Sequence, residues 1–172
     1  MKQAQPTRPV IGVVGLGSMG FGAALSAHRR GFTTWGTDPR AEARDRFAAE
    51  GGHATASLPD LAAACDVVVV LVVNAAQTED VLFGADGLAQ HLRRGSVVVT
   101  SATVDPALPP QWEARLAERG LHLIDGPVSG GAKKAADGQM TVMASGRPEA
   151  FAAAGDALDA IAGKVYRLGD HA

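Results

Sequence analysis

Apolar residues along the chain occur in short runs, and most runs are followed by a segment long enough for an amphipathic helix. This alternation is typical of βαβ units, in which crossover helices join parallel strands. Strands are predicted at residues 9–14, 32–37, 53–55, 66–73, 96–100, 121–124, 140–145 and 165–168. Helices are predicted at residues 18–30, 39–50, 76–82, 110–119 and 148–162, and Ser57 opens a further one.

The order of these elements predicts an α/β fold with a Rossmann-like, doubly wound, mostly parallel sheet in three α/β/α layers. The run at 66–73, DVVVVLVV, does not alternate, which is typical of a central strand covered on both faces. Asp38 and Pro39 predict a helix start, with the acid as the N-cap and proline at the first position. Ser57 with Asp60 three residues later resembles a capping box.

Composition fits one domain, residues 1–172, with 47% apolar residues and a formal net charge of −2. Neither the charge nor its distribution indicates a nucleic-acid or membrane partner, and no metal site is predicted. The single cysteine, Cys65, stands before an apolar strand and is expected to be buried and inert. No segment has the roughly 18 apolar residues of a membrane span, and MKQAQPTRP lacks the apolar region of a secretory signal. We therefore expect a cytoplasmic protein.

The glycine-rich segment GLGSMG lies between the first strand and the first helix. In a dinucleotide-binding turn, Gly15 allows the tight turn, Gly17 lets the pyrophosphate approach the backbone, and Gly20 lets the helix pack close to the strand. The helix N-terminus then supplies free N–H groups to the phosphates. The expected cofactor-binding residues in this segment are Gly15, Leu16, Gly17, Ser18, Met19 and Gly20. A tight turn without a ligand is the alternative interpretation.

An acidic residue, Asp38, ends the second strand and is expected to accept hydrogen bonds from the adenosine ribose hydroxyls. It would repel a 2′-phosphate, so NAD is favoured over NADP. Arg40 is the opposing signal, because an arginine at this point can accept that phosphate. Gly12 and Gly22, outside the motif, are expected to allow close packing of strand and helix.

The segments GLGSMG and DGPVSGGAKKAADGQMTVMASG together resemble the β-hydroxyacid dehydrogenases, the 3-hydroxyisobutyrate dehydrogenase family. The resemblance covers essentially the whole chain as that family's N-terminal cofactor domain. It implies an oxidoreductase that transfers hydride between a nicotinamide cofactor and a 3-hydroxy acid or its semialdehyde or keto product. Within the family, GFGAAL and MTVMASG resemble the members that act on sugar acids such as threonate.

The resemblance also implies roles for individual residues. Ser129, Gly130 and Gly131 would hold the substrate carboxylate, and a serine hydroxyl beside consecutive glycine N–H groups does suit an anion. Thr103 would lie by the nicotinamide-side ribose, although Thr100 and Ala102 replace the aspartate and serine usual in that segment.

A second part of the cofactor boundary is implied at Val73 and Asn74, which follow the fourth strand. The family has a Leu-Pro pair in that loop, and this chain lacks it. Asn74 could border the cofactor through its backbone and its amide.

No residue of this chain is expected to be the catalytic one. The family's catalytic lysine lies on the long helix that opens an all-helical C-terminal domain, so it is expected beyond Ala172. His122 is interpreted as a structural strand residue and His171 as lying at a free end. Lys133 and Lys134 are interpreted as solvated residues at the start of a helix. The chain alone is then predicted to bind cofactor with little turnover, and the full-length protein to be a homo-oligomer with a small hydroxy-acid substrate.

Two other functions stay open. A non-catalytic dinucleotide-sensing module would carry the same glycine loop but be indifferent to hydroxy acids. A methyltransferase with a similar loop and acid would prefer S-adenosylmethionine to NAD.

Overall fold

The computed structural model describes residues 8–172. Its strands are β1 (Ile11–Val14), β2 (Thr34–Thr37), β3 (His53–Ala54), β4 (Val67–Val70), β5 (Val97–Thr100), β6 (His122–Asp125), β7 (Val128–Ser129), β8 (Met140–Gly146) and β9 (Ala162–Gly169). Each predicted strand is confirmed, with shifted ends. The expectation about a secretory signal concerns residues 1–9, of which 1–7 lie outside the described residues.

The helices are α1 (Ser18–Arg29), α2 (Ala41–Ala49), α3 (Leu58–Ala64), α4 (Ala75–Phe83), α5 (Leu88–His91), α6 (Leu108–Ala117), α7 (Gly131–Ala136) and α8 (Pro148–Ile161). The sequence pattern did not predict α5 or β7, and of α7 it indicated only a helix start at Lys133 and Lys134. These elements are too short to show a clear periodicity.

The sheet runs in the order β3-β2-β1-β4-β5-β6-β8-β7, with β9 paired to β8. β1 to β6 are mutually parallel, whereas β8 pairs antiparallel with both β6 and β7. The strand order reverses between β1 and β4. In doubly wound sheets, ligands bind at the carboxyl ends of the strands at this switch point.

Two apolar clusters cover the two faces of the sheet and make the predicted three layers. One cluster joins the sheet to α1, α2, α7 and α8, around Phe47 and Phe151. The other joins it to α3, α4, α5 and α6, around Trp112 and Leu116. All four residues of β4 are buried, as expected for a strand covered on both faces.

Two glycines outside the motif are sites of close packing. A Cβ at Gly12 would stand 2.8 Å from Leu61 Cδ2 and 2.9 Å from the buried Cys65 Sγ, so β1 and α3 meet there. A Cβ at Gly22 would stand 2.6 Å from the backbone nitrogen of Ala136. The expectation of strand–helix packing at Gly22 is therefore wrong, because this residue brings α1 against α7, a helix with helix.

The structure confirms one expected helix cap, corrects another, and corrects the expectation for His171. Ser57 Oγ does cap α3 by accepting from the backbone N–H of Asp60 at 3.1 Å. The prediction that Asp38 is the N-cap of α2 is wrong, because that helix begins at Ala41 and its N-cap is Arg40. His171 does not lie free, since its Nδ1 is 3.2 Å from Glu113 Oε2.

Candidate functional site

The turn from β1 into α1 is tightly constrained at two of its three glycines. Gly15 has φ +92°, and a Cβ there would press against the carbonyl oxygen of Leu71 at the end of β4. A Cβ at Gly20 would overlap the carbonyl oxygen of Gly15. A Cβ at Gly17, in contrast, would have no atom within 4 Å. Fold packing thus explains Gly15 and Gly20, whereas Gly17 borders open space.

The N-terminus of α1 is suited to an anion. Its N-cap, Gly17, makes no side-chain cap, and the first turn contains no acidic residue. The first bond of the helix runs from the backbone N–H of Phe21 to the carbonyl oxygen of Gly17 at 2.8 Å. The N–H groups before Phe21 therefore have no intrahelical partner, and with the helix dipole they favour a negative group.

A cleft of about 1010 Å³ opens at the carboxyl ends of β1, β2 and β4. It is wide enough for a dinucleotide to lie across the switch point. Its lining residues are Val14, Gly15, Gly17, Thr37, Asp38, Pro39, Arg40, Arg44, Ala56, Leu58, Leu71, Val72, Val73, Gln77, Asp80 and Val81.

Asp38 is buried at the rim of this cleft. Its Oδ2 accepts from the backbone N–H of Leu16 at 2.8 Å, which fixes the glycine turn to the end of β2. Its Oδ1 accepts from the backbone N–H of Arg40 at 2.9 Å and from Arg40 Nε at 2.9 Å. The Arg40 side chain, opposed by burial and helped by the backbone N–H groups, lowers the pKa of Asp38 to about 2.

Arg44 supports the same segment from α2. Its guanidinium donates to the carbonyl oxygens of Asp38 at 2.6 Å and Pro39 at 3.0 Å. The sequence analysis missed Arg44. Its position one helical turn after Arg40 was the available signal.

The opposite wall is built by the loop after β4. Asn74 Oδ1 caps α4 by accepting from the backbone N–H of Gln77 at 2.9 Å, and Gln77 Oε1 accepts from the backbone N–H of Val73 at 2.9 Å. This pair leaves the Val73 side chain 82% exposed toward the cleft. The sequence analysis also missed Gln77.

The predicted site residues do not all meet in this cleft. Gly15, Gly17, Asp38 and Val73 line it, whereas Leu16 and Ser18 line a neighbouring cavity. Met19 and Gly20 pack into the fold.

The remaining predicted residues are exposed to solvent. Thr103 is exposed after β5, and residues 129–131 are exposed between β7 and the start of α7. Gly130 and Gly131 have φ +138° and +74°, conformations that favour glycine.

A different polar cluster lies at the ends of β5 and β6. Among residues 8–172, four buried side-chain atoms have no hydrogen-bond partner, and three of them are Thr100 Oγ1, Ser101 Oγ and Asp125 Oδ1. Thr100 and Asp125 are paired in register, so their side chains share a face of the sheet. Burial raises the pKa of Asp125 to about 6.

The other chemically active side chains are placed as follows. Burial raises the pKa of Cys65 to about 12, consistent with the expected inert thiol. Lys133 is solvated and pairs with Asp137 at 2.8 Å. Within the described part of the chain, no His, Cys, Asp and Glu cluster could hold a metal, and no helix is long and apolar enough to cross a membrane.

Residues 10–169 match the family described as the NAD binding domain of 6-phosphogluconate dehydrogenase. The chain is 55% identical to the L-threonate dehydrogenase of Cupriavidus necator over 159 residues, which are 92% of this chain and 54% of that protein.

Solved structures of similar fold include the following two. A 3-hydroxyisobutyrate dehydrogenase from Salmonella typhimurium superposes with a TM-score of 0.91 at 48% identity, covering 94% of this chain and 56% of that one. A protein solved in complex with NADP+ and 2-OPP has a TM-score of 0.88 at 26% identity, covering 94% and 57%. The chain thus spans about half the length of the relatives it matches.

Proposed function

The chain belongs to the family of NAD binding domains described for 6-phosphogluconate dehydrogenase, and from this premise we propose that it holds the nicotinamide cofactor of a hydroxy-acid dehydrogenase. The reaction proposed is hydride transfer between that cofactor and a 3-hydroxy acid or its semialdehyde or keto product. The cofactor, when bound, accepts or donates the hydride. Residues of this chain bind and orient the two reactants.

One observation carries the proposal: Gly17 borders open space at the uncapped, acid-free N-terminus of α1. Gly15 and Gly20 are needed by the fold in any case, so they do not discriminate between a ligand site and a tight turn. The space beside Gly17 has the place and the electrostatics that a pyrophosphate requires.

NAD is the proposed cofactor, with the adenosine ribose at Asp38. The carboxylate is ionised at all physiological pH values, since its pKa is about 2, and a negative group there opposes a 2′-phosphate. The reacting end would then extend past the exposed Val73 toward the loop that carries Thr103. Asn74 and Gln77 keep this wall in place through their hydrogen bonds.

The proposed substrate is a small sugar acid of the threonate type. The similarity to L-threonate dehydrogenases over 92% of this chain supports this choice. Ser129, Gly130 and Gly131 would bind the substrate carboxylate with the serine hydroxyl and the backbone N–H groups.

We infer that the group that handles the hydroxyl proton is the family's lysine, outside residues 1–172. The relatives are about twice as long as the matched region, which leaves room for such a domain. We also infer that residues 1–172 form one cofactor-binding domain and that the full-length enzyme is a homo-oligomer.

Isothermal titration calorimetry of the 172-residue chain tests the cofactor assignment directly. We expect saturable binding of NAD+ and no binding of S-adenosylmethionine. Preference for S-adenosylmethionine would replace the proposal with a methyltransferase, and binding of neither would overturn the ligand site altogether.

A second titration tests the substrate class. Threonate is added to the chain saturated with NAD+, and threitol, which lacks the carboxylate, is the matched control. We expect binding heat with threonate and none with threitol. The Ser129→Ala variant should lose the heat seen with threonate. A chain that binds NAD+ but responds to neither compound would be a dinucleotide-sensing module.

A further inference from the structure

Two adjacent lysines of α7 follow the proposed substrate loop, and their surroundings differ. Lys133 Nζ pairs with Asp137 Oδ2 at 2.8 Å, one helical turn away, and its side chain is 89% exposed. Lys134, in contrast, forms no ion pair with any acidic side chain within residues 8–172. The charge of Lys133 is therefore compensated inside the chain, whereas the charge of Lys134 is not.

The side chain of Lys134 lies against the glycine loop. Gly130 has φ +138°, and a Cβ there would stand 3.0 Å from Lys134 Cβ and 3.1 Å from Lys134 Cδ. The lysine stem thus occupies the side of Gly130 on which another residue would carry its own side chain. Since the ammonium nitrogen is only two bonds beyond Cδ, the positive charge stays close to this loop.

The backbone of Lys134 is held in place by its neighbours. Ala135, the next residue, is fully buried, and a Cβ at Gly22 of α1 would stand 2.8 Å from its Cβ. The backbone N–H of Gln139 donates to the carbonyl oxygen of Lys134 at 2.7 Å. The base of the side chain is therefore fixed by α1 and by the turn before β8, while Lys134 itself is exposed to solvent. A lysine placed in this way packs its stem on the protein and presents its ammonium to a ligand.

The loop by itself offers a carboxylate only neutral donors. These are the hydroxyl of Ser129 and the backbone N–H groups of Gly130 and Gly131, all at exposed residues. A lysine ammonium adds a full positive charge and up to three further donors. Lys134 is the lysine beside this loop whose charge is uncompensated within the described residues, so it is suited to supply that charge.

We propose that Lys134 determines the selectivity for acids by pairing with the carboxylate of the substrate. This inference rests on the proposed function, which assigns residues 129–131 to the substrate. The neutral donors of the loop orient the carboxylate, and the ammonium of Lys134 supplies the opposite charge. A neutral polyol of the same length gains nothing from that charge, so the site selects the acid over the alcohol.

The test is calorimetric titration of the chain saturated with NAD+, with threonate as the ligand. Lys134→Met removes the charge but keeps an unbranched stem, and we expect threonate to bind at least about tenfold more weakly. Lys133→Met is the matched control, because it removes the same charge from the adjacent position, and its affinity should stay within about twofold of wild type. Lys134→Arg keeps the charge and should retain most of the affinity.

The salt dependence separates the lost charge from a change in loop shape. Added sodium chloride screens an exposed ion pair, so it should weaken threonate binding to the wild-type chain and to Lys133→Met. In Lys134→Met, the remaining weak binding should respond much less to salt. An equal salt dependence in Lys134→Met and in the wild-type chain would show that the ammonium does not pair with the carboxylate.

The affinity for NAD+ is measured in all four chains and should be the same in each. Loss of NAD+ binding in Lys134→Met would place its charge at the cofactor and overturn the inference. Unchanged threonate binding in Lys134→Met, or equal weakening by the two methionine variants, would overturn it as well and leave the proposed function intact. A wild-type chain that binds NAD+ but not threonate would instead refute the proposed substrate class, and this inference with it.

Discussion

Asp38 and Asp125 both stand at the carboxyl end of a strand, after β2 and at the end of β6, in the same sheet. Asp38 accepts four hydrogen bonds, and its pKa falls to about 2, mainly because of Arg40. Asp125 Oδ1 is buried without a partner, and burial raises the pKa of that carboxyl to about 6. The carboxylate at the end of β2 therefore has all its hydrogen-bond partners within the chain. The carboxylate at the end of β6 does not.

The difference shows how the carboxylates of Asp38 and Asp125 contribute to the stability of the fold. Around Asp38, hydrogen bonds join β1, β2 and the start of α2, so the ionised carboxylate stabilises the fold. Around Asp125, the ionised carboxylate destabilises it, because a buried charge without partners is unfavourable.

The largest expected effect on stability tests the tight packing of the glycine turn between β1 and α1. Gly20→Ala places a Cβ into the carbonyl oxygen of Gly15, so we expect a loss of more than about 3 kcal/mol of unfolding free energy in urea titrations. Gly17→Ala meets no atom within 4 Å and should keep its stability to within about 1 kcal/mol while losing NAD+ binding at least tenfold. Equal destabilisation by both substitutions would contradict the distinction between them.

Removal of the Asp38 carboxylate should have the next largest effect on stability. Asp38→Ala leaves the backbone N–H of Leu16 unpaired, and we expect a loss of roughly 2–3 kcal/mol at pH 7. Because the folded-state pKa is depressed, this contribution is present above about pH 4 and disappears as the pH falls toward 2. Urea unfolding at several pH values measures it, and a pH-independent difference between wild type and variant would show that the carboxylate charge is not involved.

For Asp125, the pH dependence of stability has the opposite sign. The folded-state pKa of Asp125 is raised to about 6, so wild-type stability should decrease as the pH rises from about 4 to 6. Asp125→Asn should abolish this slope and gain about 1–2 kcal/mol at pH 7, a figure discounted for partial solvent screening. Stability curves of wild type and variant that stay parallel across this range would be evidence against an unpaired buried charge.

The smallest effect compares two buried threonines. Thr34 Oγ1 donates to the carbonyl oxygen of Phe32 at 3.1 Å, whereas Thr100 Oγ1 has no partner. Thr34→Val should cost about 1 kcal/mol, and Thr100→Val should be neutral or stabilising by a similar amount. The two melting temperatures, measured side by side, decide this, and a clear destabilisation by Thr100→Val would mean that its hydroxyl is paired.

Much of the fold could be predicted because long apolar runs leave few choices. The valine run at 66–73 did predict a central buried strand, but β4 ends at Val70. The next three apolar residues line the cleft and do not extend the strand, and hydropathy cannot distinguish these two environments. The bounds of the short α7 could not be predicted because its contacts with α1 fix its position more than any periodicity of its own.

Less of the site could be predicted. The motif predicted the glycine turn and Asp38 because of its context: a strand precedes it, a helix follows it, and an acid ends the next strand. The motif could not show that the Arg40 guanidinium is hydrogen-bonded to the Asp38 carboxylate, since this contact depends on one side-chain conformation. Nor could it show Thr100 and Asp125 side by side, because strand register is a property of the assembled sheet. The assignments of Thr103 and of residues 129–131 stay predictions.

The packing of Gly22 against α7 has a consequence for how enzymes of this design can vary. α1 begins at the proposed phosphate site and α7 begins at the proposed substrate loop, so the contact at Gly22 sets the distance between the two. A Cβ at this position would stand within 3 Å of the backbone of Ala135 and Ala136, so any substitution must shift α7 relative to α1. The relative placement of these two helix starts therefore depends on the absence of a single methyl group at Gly22.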